Sequence, residues 1–119
     1  MLINLQPYAR PINIEVRVGG ESRQAGIARD IAEKLVAMKA SLRVVAKLVG
    51  SGLYSLREEA EWQFEMQYHS AADWQEFLDR PTCGGADVDQ KLLDATFAQQ
   101  DGYVVSTEDD LAQSYERLD

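Results

Sequence analysis

The sequence predicts one α+β domain: a small three- or four-stranded sheet packed against one long N-terminal helix, about residues 22–49, and shorter C-terminal helices. Three observations predict it. "INIEVRV" alternates strictly between apolar and polar residues. Seven apolar residues from Ile27 to Val49 recur at spacings of 4, 4, 3, 4, 3 and 4. "WQFEMQYH" alternates again further along. With 119 residues, 45% hydrophobic and 27% charged, the chain fits a single domain, 1–119, with one modest core.

In the first strand Ile12, Ile14, Val16 and Val18 share one face, and Gly19-Gly20 ends it. The helix then runs from about Ser22 to Val49. Ile27, Ile31, Leu35, Met38, Leu42, Val45 and Val49 form one stripe, with no phase slip at Ser41. A continuous helix of that length spans ~40 Å, whereas a seven-residue strand spans ~23 Å, so the helix must overhang its sheet. Lys39, Arg43 and Lys47 lie on its outer face, and Gly50-Ser51-Gly52 stops it. Leu53–Ala60 reads as a turn or two of helix. In the second strand Trp62, Phe64, Met66 and Tyr68 oppose Gln63, Glu65, Gln67 and His69.

Ser70 and Asp73 resemble a capping box for a short helix with Trp74, Phe77 and Leu78 inside. "RPTCGG" reads as a turn. Asp87 and Gln90 open another helix, reaching about Gln100, whose inner face is Val88, Leu92, Ala95 and either Leu93 or Thr96. "GYVVS" is a third short strand. Thr107 and Asp110 cap a last helix carrying Leu111, Tyr115 and Leu118.

The net charge of −8 argues against nucleic acid, whose phosphates need a basic footprint. The charge is also divided. Residues 1–57 carry nine Lys/Arg and four Asp/Glu, while residues 58–119 carry three and sixteen. Opposed halves favour contact with each other or with the other half of a second copy. A single cysteine forms no internal disulfide, the start lacks the apolar core of a signal peptide, and no apolar run approaches the ~20 residues of a bilayer span. These features lead us to expect a cytoplasmic protein with no membrane association.

Little catalytic chemistry is legible. His69 and Cys83 are the chain's only histidine and cysteine, but no spacing brings them together. Cys83, near Arg80 and a helix start, is a possible reactive thiol. Val18–Arg23 has the form of a strand, glycine turn and helix start, yet lacks a phosphate-loop or dinucleotide signature. No ligand set suits zinc or calcium, so neither metal nor cofactor is expected. An aromatic pocket near Trp62, Tyr68, His69 and Trp74 is the alternative to a plain core.

"WQFEMQYHSAADWQEFLDRP", followed by the strand at Gly102–Ser106, resembles the strand–helix–strand half of small dimeric α+β barrel proteins with ferredoxin-like topology. The resemblance covers under half of the chain. It implies a homodimer and a cleft between sheet and helices, and it carries no functional residues over.

The expected function is that of a non-catalytic interaction or accessory protein, a homodimer joined through Leu35, Met38, Leu42, Val45 and Val49, with Lys39, Arg43 and Lys47 meeting acidic surface of a copy or another protein. The alternative is a small-molecule-binding or enzymatic domain built on the aromatic pocket.

Overall fold

The structure is a computed structural model and describes residues 2–7 and 10–118. Six strands and three helices follow in order: β1 (Leu2–Pro7), β2 (Ile12–Val18), β3 (Glu21–Asp30), α1 (Ala32–Gly50), β4 (Tyr54–Tyr68), α2 (Ala71–Leu78), β5 (Cys83–Val88), α3 (Gln90–Phe97) and β6 (Tyr103–Arg117). Every pairing is antiparallel. The expected small sheet against a helix over 22–49 is therefore corrected. The sheet has six strands, about half the chain is strand, and the helix begins only at Ala32.

The fifteen-residue strand β6 organises the sheet. One of its edges pairs with β4, from Val104↔Tyr68 to Arg117↔Tyr54. The other edge is shared end to end: β2 takes Tyr103 to Thr107, and β1 takes Asp110 to Tyr115. β3 pairs with β2, and β5 with β3. Two regions result. A head, built around β2, β3, β5 and the near ends of β4 and β6, carries α2 and α3. A three-stranded arm of β1, β6 and β4 extends away from it. The molecule measures 60 × 29 × 18 Å, and its Cα radius of gyration is 18.0 Å. A compact chain of this length has a radius near ~13.5 Å. Its accessible surface is 7641 Å², above the ~6,450 Å² expected at this mass.

The head holds the core. Ile12, Ile14 and Val16 of β2, Ala25 and Ala28 of β3, Tyr68, Val104, Leu93 of α3, and Trp74 and Phe77 of α2 are all buried together. Tyr68, Trp74 and Phe77 form an aromatic cluster with centroid separations of 5.2–5.6 Å. Ser70 caps α2, its hydroxyl accepting from the Asp73 N–H at 3.1 Å. Asp89, rather than Asp87, caps α3 by accepting from the Leu92 N–H at 3.2 Å.

Three segments read as helix are strands for identifiable reasons. Gly19 and Gly20 have φ of 58° and 84° and sit between Val18 and Glu21, which pair directly. Two positive φ values in a two-residue loop make the reversal that suits strand twist, so the chain turns back as β3 instead of entering a helix. The segment Thr107–Arg117 continues β6 because β1 and β4 offer it a partner on each edge. Leu53–Ala60, read as a turn or two of helix, mostly belongs to β4 because β6 pairs with it from Tyr54 onward. From Ala32 to Gly50 the helix is continuous through Ser41, as the spacing predicts. The strand at Gly102–Ser106 pairs directly and antiparallel with β4, whereas the two strands of a ferredoxin-like strand–helix–strand half run parallel to each other with another strand between them.

Gly26 marks a close approach of β3 and β5. Its φ is 148°, and a methyl group there would overlap the Asp87 carbonyl oxygen and the Val88 Cα. Gly26→Ala is expected to cost ~3 kcal/mol in urea unfolding. A loss below ~0.5 kcal/mol, within the range of an ordinary surface change, contradicts this packing of β5 on β3.

Candidate interaction surface

Residues directly opposite in an antiparallel pair share a face. In the arm, Phe64 opposes Glu108, Trp62 opposes Asp110, Ala60 opposes Ala112 and Glu58 opposes Ser114. From the other side Leu5 opposes Ala112 and Ile3 opposes Ser114. All of these project to the same face as Tyr68 and Met66. Along β4 the apolar stripe therefore begins inside the core and runs out into solvent. Tyr68 is 3% exposed, Phe64 51% and Trp62 42%, while across the arm Ile3 is 61% and Leu5 66% exposed. A shallow groove of about 120 Å³ lies between Ile3, Ala60, Ala112 and Ser114, with Glu58 at its side. The reverse face is polar on β4, with Glu59, Glu61, Gln63, Glu65 and Gln67 all exposed. On β6 that reverse face carries the buried Leu111 and Tyr115.

Two carboxyls sit within the apolar face. Burial is the largest influence on Glu108, raising its pKa, and Asp110 and Asp30 raise it further while Lys34 opposes them. Asp110 is also raised, first by burial and then by Asp109, against a hydrogen bond with Glu108 and the charge of Lys34. Desolvation of carboxylates on a half-covered surface outweighs the counter-charge that Lys34 offers them. Lys34, whose charge opposes both shifts, is also paired with Asp30 at 3.0 Å.

The outer side of α1 has the opposite character. Its inward stripe is formed by buried Met38 and half-buried Ile31, Leu35, Leu42, Val45 and Val49, and the helix lies against β4. Turned roughly 180° away are Val36, Arg43 and Lys47, flanked by Lys39 and Val44, and all five are exposed. Among the described residues no carboxylate pairs with Lys39, Arg43 or Lys47. The Arg43 Nε–H instead makes a long hydrogen bond to the Lys39 carbonyl at 3.5 Å.

The other residues singled out in the sequence fall elsewhere. Tyr68 and Trp74 meet in the core, where the Tyr68 hydroxyl hydrogen-bonds Ser106 at 3.0 Å and the Trp74 Nε1–H is buried without a partner. Trp62 is on the arm. His69 is exposed, lies 5.0 Å from the Tyr103 ring and hydrogen-bonds Gln67 at 3.2 Å. Cys83 starts β5, at the sheet edge opposite β4, and is half-buried. It lines a cavity of about 60 Å³ with Asp30, Lys34, Arg80 and Glu108. The structure thus keeps His69 and Cys83 on different edges. A larger open groove, about 290 Å³, runs between α3 and the β2–β3 hairpin, floored by Val16, Val18, Leu92 and Ala95. Among the described residues no group of three or more candidate ligands is placed for a metal ion, and no helix is long and apolar enough to cross a membrane.

Ile3, Leu5, Glu108 and Asp110 escaped the sequence reading. The first two lie in a stretch broken by prolines, and the acids follow Thr107 in the pattern of a helix start. The signal that could have found the surface is the alternation Glu58, Ala60, Trp62, Phe64, which extends that of "WQFEMQYH" backward. Compared with protein-family models, curated proteins and solved structures, the chain matches none.

The raised pKa of Glu108 has a defined sign in folding. The folded state binds this proton more tightly than the unfolded chain. Stability is therefore lost as pH rises from the ordinary carboxylate range through the raised value, and regained as pH falls. Glu108→Gln is expected to raise Tm at neutral pH and to flatten Tm against pH across that window. An unchanged profile with an unchanged or lower neutral Tm contradicts the burial of this charge.

Proposed function

We propose that the protein is a non-catalytic interaction or accessory protein that works as a homodimer, and that it docks through the open apolar face of the arm. The observation carrying this reading is the stripe that leaves the core at Tyr68 and continues through Phe64 and Trp62 into solvent, joined across the arm by Leu5 and Ile3. Contiguous apolar surface on a long strand is costly in water and invites aggregation unless a partner covers it. The elongated shape supports the same reading, because an arm that buries little of its own surface gains stability by association.

The small-molecule reading has less behind it. Of its four residues, Tyr68 and Trp74 pack inside the core, and Trp62 and His69 are exposed at separate places. A cytoplasmic setting, expected from the lone thiol, suits the interaction reading.

The test is Trp62→Glu with Phe64→Glu, two exposed positions whose change leaves the core intact. Sedimentation velocity is expected to show wild-type dimers and at least a tenfold weaker association in the variant, ~1.4 kcal/mol, with unchanged circular dichroism. Equal association in both, or a wild type that stays monomeric at ~100 μM, well above a micromolar Kd, overturns the reading.

A further inference from the structure

The arm face needs an occupant of matching length, hydrophobicity and charge, and the molecule displays one. We infer that in the homodimer the outer face of α1 from each copy docks on the arm of the other, placing Val36 and Val44 against the apolar stripe and Lys39, Arg43 and Lys47 toward its acids. This rests on the reading of the arm as a docking surface and names what covers it.

Three properties match. The first is charge. The arm face presents Glu58, Glu108 and Asp110, and the α1 face presents three cations with no carboxylate partner among the described residues. Joining them adds counter-charge to a pair whose pKa values stay raised although Lys34 lies on the same side of the chain. The second is length. α1 has 19 residues, ~28 Å of helix, and the exposed part of the arm from Glu108 to Ser114 spans ~20 Å. The third is composition. Val36 and Val44 are exposed on α1 at 62% and 59%, comparable with the exposure of the arm residues they would cover. A two-fold axis makes the contact twice, because each copy owns both surfaces, and such an arrangement closes at two subunits. The inward stripe of α1 stays against its own chain throughout, so docking requires no unfolding.

The contact is tested by charge exchange. Lys39→Glu, Arg43→Glu and Lys47→Glu in one chain, and Glu58→Lys with Asp110→Lys in another, should each weaken homodimers about tenfold or more. An equimolar mixture of the two should form heterodimers near wild-type affinity, because one of the two symmetric contacts then pairs Glu with Lys while the other keeps its native charges. A second measurement avoids the charged positions. In a Cys83→Ser background, Val44→Cys chains mixed with Ala60→Cys chains should crosslink through a short bis-maleimide. A helix variant that dimerises like wild type, or a mixture that gives neither heterodimer nor crosslink, overturns the α1 contact. If Trp62→Glu with Phe64→Glu still abolishes association in that case, the arm reading survives and only its occupant is wrong. A wild type that never dimerises removes both.

Discussion

Pairing of β6 along both edges is the constraint on which the rest of the molecule depends. One edge belongs to β4 over almost its whole length, and the other is divided between β2 and β1. Side chains alternate with a period of two, so this register assigns every residue of the arm to a face. It seals Tyr68 and Val104 into the head and commits Phe64, Trp62, Leu5 and Ile3 to one exposed surface further out. A slip of one residue would drive Tyr68 out of the core, so the head holds the arm's register even though few helices cover the arm.

The surface that results is a continuation of the interior. Along β4 the same alternation serves first as core and then as exposed stripe, changing only where α2 ceases to cover it. Apolar area gains ~25 cal/mol per Å² when water is removed, so an uncovered extension of a core is a store of association energy. The carboxyls of Glu108 and Asp110, half-covered within it, give it polarity and direction. Charged groups of this kind contribute more to the choice of partner than to raw affinity. The division of charge between the two halves of the sequence thus takes a spatial form, with cations on the outside of α1 and acids on the arm.

Much of this could be read from the chain, and the failures share one physical cause. The strand Ile12–Val18, the β4 alternation, the Ser70 cap and the run of helix from Ala32 to Gly50 all follow from period and capping. The errors arose where spacing was ambiguous. Residues four apart lie on one face of a helix and also on one face of a strand. Ile27 and Ile31 therefore have the spacing of a helical extension, and Leu111 and Tyr115 that of a helix of their own. What decided both was information from elsewhere in the chain: a Gly19-Gly20 reversal that supplies β3 with a partner, and a pair of flanking strands waiting for β6. Gly26 was the overlooked local sign, a residue unfavourable inside a helix and required where two strand backbones crowd together. The candidate surface was harder still to see, because Trp62 and Phe64 have the letters of a core and only the position of α2 leaves them outside it.

Collisional quenching of Trp62 reads the central claim directly. In Trp74→Phe, which leaves Trp62 as the only indole, acrylamide quenching followed against protein concentration should fall as dimers form, with the emission shifting to the blue. An indole quenched as freely at high concentration as at low, while sedimentation records association, would show that the subunits meet elsewhere and that the arm faces water.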